Sequence, residues 1–348
     1  MEKIMLEYIW LDGYQTPNLR SKVKIISWDS KAKPLTLTNI PPWNFDGSST
    51  RQATGSDSEC MLRPARMYKC NCPDQRKVFV FCEVYDSSGV PHKTNHRAKL
   101  RTILRNHQEQ KFWWGFEQEY FITKDFKPIG FPDEGQPRLQ GLYYCGVGSN
   151  QAVGRQITDE HLHFSLLFGL GISGTNAEVA PGQWEYQVFS IDTLKACDDL
   201  WVSRFFLLKA AESHGLDIDI TPKPISGDWA GNGCHTNFST EKMRTSGGIE
   251  YIQNLMLNLE ATHTQHIAGY GEGNDLRLTG KNETQHINAF SWGVGDREAS
   301  IRVPNATVRN NWSGYIEDRR PAGNCDPYRV TKLIIETTAG RLNDQEKK

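Results

Sequence analysis

This 348-residue sequence has little net charge and no long apolar run. Its 40 Lys and Arg residues nearly balance 41 Asp and Glu residues, which leaves a formal net charge of −1. Nucleic-acid-binding proteins show a basic excess or stripe, and membrane-surface proteins show polybasic segments, so the balance disfavours both classes. No apolar run approaches the ~20 residues of a membrane-spanning helix. We therefore expect neither a nucleic-acid partner nor a membrane.

Cysteine is also sparse, with 8 residues spread over the chain. Disulfide-stabilised scaffolds are far denser in cysteine. The first residues include Glu2 and Glu7, where a secretory signal needs an apolar centre, so we expect a cytoplasmic protein with reduced thiols. Cys70 and Cys72 form the one close pair, and no second pair matches them as a zinc site requires.

The composition that is present predicts a folded protein, since 38% of the residues are apolar and 10 are Trp. The length favours two domains of roughly 150 residues each, with one large α/β domain as the alternative. We place the boundary so that a smaller β-rich domain, residues 1–94, precedes a larger domain, residues 95–348. Strands and long helices follow one another in the larger domain without strict βαβ alternation, which favours the α+β class.

Local signals mark several elements. Asn95 and Asp192 are predicted N-caps of two helices, and Pro327 is predicted to open the last one. The apolar pattern over residues 249–267 predicts one further helix. Residues 39–50 are rich in Pro, Gly and Ser, which predicts a defined loop without regular structure.

Two glutamates stand two positions apart in an aromatic segment, residues 113–121. Side chains at that spacing share one face of a strand, so Glu117 and Glu119 are predicted to lie side by side. Two carboxylates ~5 Å apart repel by roughly 3 kcal/mol at an effective dielectric constant of ~20. Water at an open face or edge, a shared proton or a bound cation would each relieve this repulsion.

A second pair, Glu178 and Glu185, flanks the turn signal Ala180-Pro-Gly182. This pattern predicts a hairpin in which the two carboxylates face each other across the ladder, where like charges are unfavourable unless something binds them. Two such pairs in apolar sequence favour hard cations, Mg²⁺ or Mn²⁺ rather than zinc. His235, in a Gly-rich polar segment, is either a further ligand or a structural histidine.

Arginine is frequent in the later, Gly- and Asn-rich part of the chain, where four candidates are Arg277, Arg297, Arg302 and Arg319. Guanidinium groups match phosphate and carboxylate oxygens, whereas an isolated arginine is more typically part of a surface ion pair. Arginines together with paired carboxylates are the groups that phosphoryl transfer uses. The sequence lacks a phosphate-binding loop and a Gly-x-Ser-x-Gly elbow. It therefore predicts a metal-dependent enzyme that acts on phosphate and a carboxylate substrate.

At these residues the chain resembles the type II (eukaryote-like) glutamine synthetases, and the resemblance covers nearly the whole length. The motifs that carry it are LEYIW (6–10), WNFDGSST (43–50), GFEQEY (115–120), YYCGVG (143–148), GTNAE (174–178), GQWE (182–185), GCHTNFST (233–240), LTG (278–280), ASIR (299–302) and EDRRP (317–321). So many long motifs in one order leave little room for chance.

The resemblance implies an N-terminal β-grasp domain and a catalytic domain with a curved, mostly antiparallel sheet flanked by helices. It implies a homo-oligomer, a decamer of two pentameric rings, with active sites between subunits. The implied reaction is ATP-dependent ligation of ammonia to the γ-carboxylate of L-glutamate through γ-glutamyl phosphate, which gives L-glutamine, ADP and phosphate. This reaction assimilates nitrogen and uses two or more Mg²⁺ or Mn²⁺ ions per site.

The resemblance also implies site residues, position by position. One metal ion would be bound by Glu119, Glu178 and Glu185, and a second by Glu117, His235 and Glu317. ATP would be contacted by Glu117, Glu185, Asn237, Ser239, Arg297, Arg302 and Tyr315. Glutamate would be held by Trp229, Arg277, Arg297 and Arg319. Ammonium would bind Glu283 and Asp46, with Asp46 reaching into the neighbouring subunit. The catalytic residues would be Asp46, Glu283, Arg297 and Arg319.

Two positions depart from the family pattern. Asn282 stands where the family usually has His, and Ala230 stands where it usually has Asn. Asn282 hydrogen-bonds but does not exchange a proton as His does, and Ala230 removes a polar contact. We expect activity with altered substrate affinity. Residues 274–284, which carry Glu283, are the candidate flap that excludes water.

Three other functions compete with a glutamate–ammonia ligase. They are a ligase for a larger amine, a relative that has lost catalysis, and a metal-dependent kinase of the phosphagen type. The pair Glu283 and Asp46 favours ammonium as the amine, because a small acidic pocket suits that cation. The complete set of carboxylates, His235 and arginines argues against a loss of catalysis.

Overall fold

The computed structural model of the chain describes residues 2–29, 33–72, 76–132, 139–245 and 247–340. The strands are β1 Glu2–Leu11, β2 Leu19–Trp28, β3 Trp43–Asp46, β4 Glu59–Lys69, β5 Lys77–Tyr85, β6 Trp113–Lys124, β7 Lys127–Pro128, β8 Ile172–Ala177, β9 Gln183–Ser190, β10 Asp217–Asp219, β11 Cys234–Ser239, β12 Trp292–Val294, β13 Ile301–Val303 and β14 Ile316–Asp318. The helices are α1 His96–Leu104, α2 Arg155–Leu167, α3 Thr193–Ser213, α4 Glu241–Thr245, α5 Gly248–Ala261, α6 His263–Ile267, α7 Asn305–Arg309 and α8 Pro327–Gly340. Two separate sheets with flanking helices confirm the predicted α+β class.

The first sheet has five strands in the order β2-β1-β5-β4-β3. Its central pair, β1 and β5, is parallel, whereas the other neighbours are antiparallel. Its own small core includes the fully buried Leu6, Tyr8, Leu62 and Val80. The outer strand β3 corrects the expectation for residues 39–50, because Trp43–Asp46 pairs in register with β4 instead of forming an irregular loop. Burial of Phe45 against Trp10, with ring centroids 5.0 Å apart, outweighs the local turn composition.

The second sheet has nine strands, seven of which form the path β12-β13-β14-β11-β6-β9-β8. Among the described strands of this sheet, β12 and β13 are the one parallel pair, so the sheet is mostly antiparallel as predicted. Strand β6 lies in the middle and has two unlike faces. Trp114, Phe116 and Tyr120 are fully buried on the face that packs towards α3. The alternate residues point to the opposite face, which is therefore free to form a site.

The predicted helix caps are confirmed. The Asn95 side chain accepts a hydrogen bond from the Ala98 amide at 3.0 Å, and α8 opens at Pro327 as expected. The Asp192 side chain caps α3 in the same way by accepting from the Lys195 amide at 2.9 Å. Each oxygen satisfies an N–H that has no partner inside its helix.

The single helix expected over residues 249–267 is wrong, because the chain forms α5 and α6 with a break at Thr262. The Thr262 hydroxyl donates to the Asn258 carbonyl oxygen at 2.8 Å. Threonine hydroxyls that bond back to the preceding turn compete with the backbone ladder, which accounts for a break at this residue.

Cys70 and Cys72 are joined by a disulfide, with their Cα atoms 5.2 Å apart. The expectation of reduced thiols is therefore wrong for this pair. The chain leaves β4 at this point, and the Asn71 amide donates to the Leu167 carbonyl oxygen at 2.9 Å, so the turn brings the two cysteines within bonding range. The other cysteines are free, and all of these except Cys145 are buried.

A cluster of buried charges connects the two sheets. Asp198 of α3 is fully buried and accepts hydrogen bonds from Arg97 of α1 at 2.8 and 2.9 Å and from Arg66 of β4 at 2.6 Å. Burial alone would raise the pKa of Asp198, but Arg97 and then Arg66 outweigh that effect and hold the pKa below its ordinary value. Tyr68 of β4 donates to the adjacent Asp199 at 2.8 Å. The small sheet is therefore fixed against the long helix that supports β6.

No helix among the described residues combines the length and the apolarity needed to cross a membrane.

Candidate active site

The open face of β6 carries the two glutamates singled out in the sequence. Glu117 and Glu119 are half-buried and alternate with fully buried side chains, so they share one face as predicted. Strand β6 pairs with β11 on one side and with β9 on the other. The carboxylates therefore do not lie at a sheet edge, so hydration at an edge does not relieve their mutual repulsion.

Glu185 of β9 lies directly opposite Glu119 in the ladder. The predicted pairing of Glu185 with Glu178 is wrong, because Asn176 occupies the position opposite Glu185 and Glu178 follows the end of β8. Glu178 is held instead by hydrogen bonds from the Val179 amide and the Asn176 side chain, both at 3.1 Å. The error arises because the hairpin register places the turn closer to Glu178 than to Glu185.

Burial and neighbouring carboxylates act together on these two groups. Burial, followed by the charge of Glu119, raises the pKa of Glu178 to about 8. Burial, followed by the charges of Glu117 and Glu119, raises the pKa of Glu185 to about 9. Both carboxyls therefore keep their protons at neutral pH when no cation is bound.

The adjacent strands β11 and β14 contribute a histidine and a third buried glutamate. The His235 Nδ1 atom lies 3.3 Å from Glu317 and 3.5 Å from Glu117. Burial, followed by the positive charge of Arg319, lowers the pKa of His235 to about 3. The imidazole is therefore neutral at physiological pH, which is the form that binds metals.

These side chains form two groups that share His235, and within each group the ligand atoms lie within 4.8 Å of one another. The first group is Glu117, His235 and Glu317, and the second is Glu119, Glu185 and His235. Glu178 belongs to neither group, although it lies close enough for its pKa to respond to Glu119. Carboxylate oxygens with a single imidazole suit hard divalent cations. The donor set therefore fits the predicted metal ions.

Cation binding is expected to release a proton. Because a carboxyl group must lose its proton to bind a metal ion, Mn²⁺ binding to metal-free protein at pH 7 should expel about one proton from Glu185. Apparent affinity should then rise with pH and level off above about pH 9, the raised pKa of Glu185. Isothermal titration calorimetry in buffers of different ionisation enthalpy measures the number released. Glu185→Gln should bind with less proton release, and pH-independent binding between pH 6 and 8 would contradict the expectation.

The same raised pKa values set the pH dependence of the metal-free fold. The folded protein holds these protons where the unfolded chain has lost them, between the ordinary pKa of 4.5 and about 8 or 9. The contribution of Glu178 and Glu185 to the free energy of unfolding therefore falls as pH rises through this window.

Three of the four predicted arginines are drawn into this site and are not surface ion pairs. Arg302 pairs with Glu317, and Arg319 donates to the same carboxylate at 2.8 Å. Arg277, also buried, places Nη2 3.0 Å from the His235 Nε2 atom, while its Nη1 atom is buried without a partner among the described residues. Arg297 is half-exposed, 3.7 Å from Glu283.

Two cavities adjoin the carboxylates. A cavity of about 70 Å³ is lined by Glu119, Gln140, Glu178, Val179, Gln183, Ala230, Gly231, His235, Arg277, Asn282, Glu283, Thr284 and Arg319. A larger one of about 360 Å³ has walls that include Trp113, Glu117, Phe189, Asn237, Ser239, Arg244 and Tyr315. Since Glu117 lines one and Glu119 lines the other, the open face of β6 separates a large apolar cavity from a small charged one.

The segment that carries Glu283 forms part of the wall of the small cavity. Asn282 and Glu283 both have left-handed backbone conformations, with φ of 53° and 59°. Non-glycine residues adopt this region at a cost, and Asn tolerates it better than Glu. The Glu283 carboxylate lies 3.7 Å from Arg297 and 4.0 Å from Arg319. The strained pair of residues thus places one acid beside two arginines.

Asp46 and Trp229 are predicted site residues that line neither cavity and do not belong to the cluster of carboxylates, His235 and arginines. Asp46 is fully exposed at the end of β3 and accepts hydrogen bonds from Ser48 and Ser49, each at 2.6 Å. These bonds, that from Ser48 first, lower the pKa of Asp46. Trp229 packs against Phe131, with ring centroids 5.2 Å apart, and only its neighbour in the chain lines the small cavity. Within one chain, neither is brought to the carboxylates.

Two residues at the site were not identified from the sequence. Arg244 stacks on Trp113 at 4.1 Å and donates to Ser239 at 2.9 Å, which places a cation in the wall of the larger cavity. Gln140 lines the small cavity and touches the Glu283 segment. Arg244 lies eleven residues from the GCHTNFST motif's start, which is a weak signal, and the segment around Gln140 has no periodicity at all.

Comparisons with known proteins agree with one another. Residues 94–272 match a family model described as the glutamine synthetase catalytic domain. A putative glutamine synthetase of Acanthamoeba polyphaga mimivirus is 48% identical over 96% of this chain and 93% of its own. The glutamine synthetase of Emericella nidulans is 47% identical (97% and 93%), and that of Bradyrhizobium diazoefficiens is 48% identical (97% and 96%). A cryo-EM structure of Plasmodium falciparum glutamine synthetase has a similar fold, with a TM-score of 0.78 at 16% identity over 98% of this chain and 73% of that one.

Proposed function

The chain belongs to the glutamine synthetase family, and on that premise we propose that its ATP-dependent synthesis of glutamine takes place in the two cavities on the open face of the nine-stranded sheet. The observation that carries this assignment is the wall between the cavities, where two carboxylate–histidine groups meet three inward-facing arginines. One cavity suits the nucleotide and the other suits the amino acid. The reaction joins ammonia to the γ-carboxylate of L-glutamate.

Metal ions would be held by the two groups on the wall. Glu117, His235 and Glu317 would form one site, and Glu119 and Glu185 would form the other, with Glu178 approaching as a third ligand. Oxygen-rich ligands favour Mg²⁺ or Mn²⁺. When bound, such ions neutralise phosphate charge and draw electron density from the transferred group. Glu317 also fixes Arg302 and Arg319 beside that position, since Arg302 forms an ion pair with its carboxylate and Arg319 donates a hydrogen bond to it.

The larger cavity is proposed to hold ATP. Aromatic walls at Trp113 and Phe189 suit a purine ring, and Tyr315 lies at the same opening. Asn237 and Ser239 supply polar atoms along β11, and Asn237 is already oriented by donating to Glu117 at 2.6 Å. Arg302 and Arg297 would face the phosphates, and Glu185 would lie near the transferred group.

The small cavity is proposed to hold glutamate. The buried, unpartnered Nη1 of Arg277 is a donor that needs an acceptor, and a substrate carboxylate would supply one. Arg319 and Arg297 would meet the reacting end of the substrate, and Trp229 would flank its other end. Burial holds the guanidinium groups of Arg277 and Arg319 in fixed positions, so little reorganisation of these two groups is needed on binding.

The chemistry of the acid pair follows from the charge of the reactants. A γ-carboxylate resists attack by nucleophiles, so transfer of phosphate from ATP first converts it to an acyl phosphate. Ammonium, the main form at neutral pH, is not a nucleophile and must lose a proton. Glu283, next to Arg297 and Arg319, would attract the cation and accept that proton, with the partner subunit's Asp46 completing the pocket. The 274–284 flap would exclude water from the intermediate.

We extend the proposal to the assembly. Asp46 is exposed at the edge of the small sheet and lines neither cavity of its own chain, which supports a site shared between subunits of a homo-oligomer. A decamer of two pentameric rings, a cytoplasmic location and a division into an N-terminal β-grasp domain (1–94) and a catalytic domain (95–348) complete it.

The assay that tests the proposal supplies ATP, Mg²⁺ and glutamate and then adds ammonium, hydroxylamine or larger amines. Phosphate release and amide formation are measured together. We expect glutamine with ammonium, the hydroxamate with hydroxylamine, and little product with larger amines. Phosphate release that does not need an amine and yields no amide would contradict the ligase assignment. Larger amines that outcompete ammonium would contradict the proposed ammonium pocket.

A further inference from the structure

Gln140 connects the two positions at which the chain departs from its family's pattern. Its side-chain carbonyl oxygen accepts a hydrogen bond from the Ala230 amide at 2.6 Å. Its side-chain amino group donates to the side-chain oxygen of Asn282, Oδ1, at 3.1 Å. Asn282 in turn donates to Asp228 at 3.1 Å. Three segments, the Gln140 turn, the loop at residues 228–230 and the flap, are thus joined by one chain of hydrogen bonds. The contact at Ala230 is made by its backbone N–H, so it does not depend on the side chain at that position.

The direction of this hydrogen-bond chain is fixed at both ends. The Ala230 N–H is only a donor, so Gln140 must turn its oxygen towards it. The Asp228 carboxylate is only an acceptor when ionised, so Asn282 must turn its amino group towards it. The two amides in between are left with one orientation each, and neither can flip without placing two like groups against each other.

The flap depends on contacts of this kind. Asn282 and Glu283 are consecutive residues in the left-handed region, an arrangement that needs support from outside the segment. The Asn282 side chain provides it on one side, and the Arg319 guanidinium donates to the Glu283 carbonyl oxygen at 3.3 Å on the other. The carboxylate of Glu283 is exposed, and within the described part of the chain it makes only the two long ion pairs given above, so its position follows that of the backbone.

We infer that Gln140 is a positioning residue for the amide-forming step: through Asn282 it holds the flap so that Glu283 lies where ammonium must be bound and deprotonated. The inference rests on the proposed function and adds to it one residue and a fixed direction for the hydrogen bonds between Ala230, Gln140, Asn282 and Asp228. It also gives Asn282 a role that an imidazole would fill differently, because an amide donates and accepts at once without gaining or losing a proton.

Two substitutions at one position separate the polarity from the contact. Gln140→Met keeps the length of the side chain and removes both hydrogen bonds. Gln140→Glu keeps the bond from Ala230 but places a second acceptor against the Asn282 oxygen. Each should raise the KM for ammonium about ten-fold, since one or two hydrogen bonds at ~1 kcal/mol each are lost. The fraction of phosphate released without amide formation should also rise, whereas the KM for ATP should stay within about two-fold.

Asp228→Asn provides the decisive combination. Alone it is expected to be nearly silent, because its new side-chain oxygen still accepts from Asn282. Combined with Gln140→Glu, it allows the Asn282 amide to turn round, donate to the new carboxylate and accept from the new amino group. The double variant should recover to within about three-fold of the wild-type KM for ammonium. Combined with Gln140→Met, the same substitution should recover nothing.

Melting curves of every variant, with Gln156→Met on the exposed face of α2 as a control, distinguish loss of positioning from loss of folding. A wild-type KM for ammonium in Gln140→Met would overturn the inference. So would equal effects of Asp228→Asn on the Glu and Met variants, since a merely structural role has no polarity to reverse. If the wild-type protein itself forms no amide from ammonium, the proposed function fails instead, whatever the variants do.

Discussion

Glu317→Gln is expected to lower kcat for glutamine formation about a thousand-fold or more, because one carboxylate serves both a metal group and two arginines. Glu317 is fully buried, lies 3.3 Å from His235 and pairs with Arg302 and Arg319. The amide has nearly the same shape but no charge. It would leave the two guanidinium groups without their counter-charge and the proposed metal site with a weaker ligand.

The measurement is steady-state kinetics together with the Mn²⁺ affinity of the metal-free protein. The kcat and the Mn²⁺ affinity should both fall. The KM for ammonium should change least, since the Glu317 side chain does not reach the flap. Glu336→Gln is the matched control, because Glu336 forms an exposed ion pair with Lys332 on α8 at 3.1 Å. Activity within ten-fold of wild type in a folded Glu317→Gln protein would contradict the assignment of the wall between the cavities.

Asp46→Ala and Arg319→Ala should each abolish most glutamine synthesis, and a mixture of the two should recover part of it. On the proposed assembly, one subunit supplies Asp46 and its neighbour supplies Arg319 to the same site. Subunits mixed in equal amounts and reassembled at random then give about one intact site in four. The recovered activity should approach that fraction of the wild-type value. The Asp46 side chain is exposed, and its hydrogen bonds to described residues all lie within its own turn, so its removal should leave folding intact.

The control mixes Glu283→Ala with Arg319→Ala. Both of these residues lie at the small cavity of one chain, so no arrangement of the two variants produces a complete site. Recovery in the first mixture but not in the second is the expected pattern. Absence of recovery in reassembled rings of Asp46→Ala and Arg319→Ala would count against a shared site.

The carboxylates were predictable because the signal is local. Glu117 and Glu119 share a face through the simple alternation of a strand, and aromatic neighbours show that the strand is buried. Which strands would lie beside them was not predictable, since the neighbours β9 and β11 come from segments far along the chain. The same limit explains the error at Glu178. Hairpin register depends on the turn geometry, and one residue of difference moves a side chain to another face.

Other features escaped for related physical reasons. Trp43–Asp46 became a strand because β4 offered partners that the composition of the segment does not reveal. The role of Gln140 depends on hydrogen bonds to Ala230 and Asn282, which lie 90 and 142 positions further along the chain. A single glutamine in an irregular segment carries no pattern that would reveal these bonds. The arginines were recognised as a chemical type, but only their burial against Glu317 and His235 distinguishes Arg277, Arg302 and Arg319 from the half-exposed Arg297.

The buried contacts of Asp198 have a mechanical consequence for an assembly of the proposed kind. Arg66 comes from the small sheet that carries Asp46, and Asp198 belongs to the helix behind the carboxylates of the same chain. The small sheet and the nine-stranded sheet of each subunit would then move as one rigid body, although they contribute to different active sites. A displacement of the small sheet at one active site would therefore displace the nine-stranded sheet at the other, without a conformational change inside the subunit. A substitution that weakens the contact between Arg66 and Asp198 would impair glutamine synthesis in the neighbouring subunit's active site, while leaving the altered chain's own glutamate pocket undisturbed.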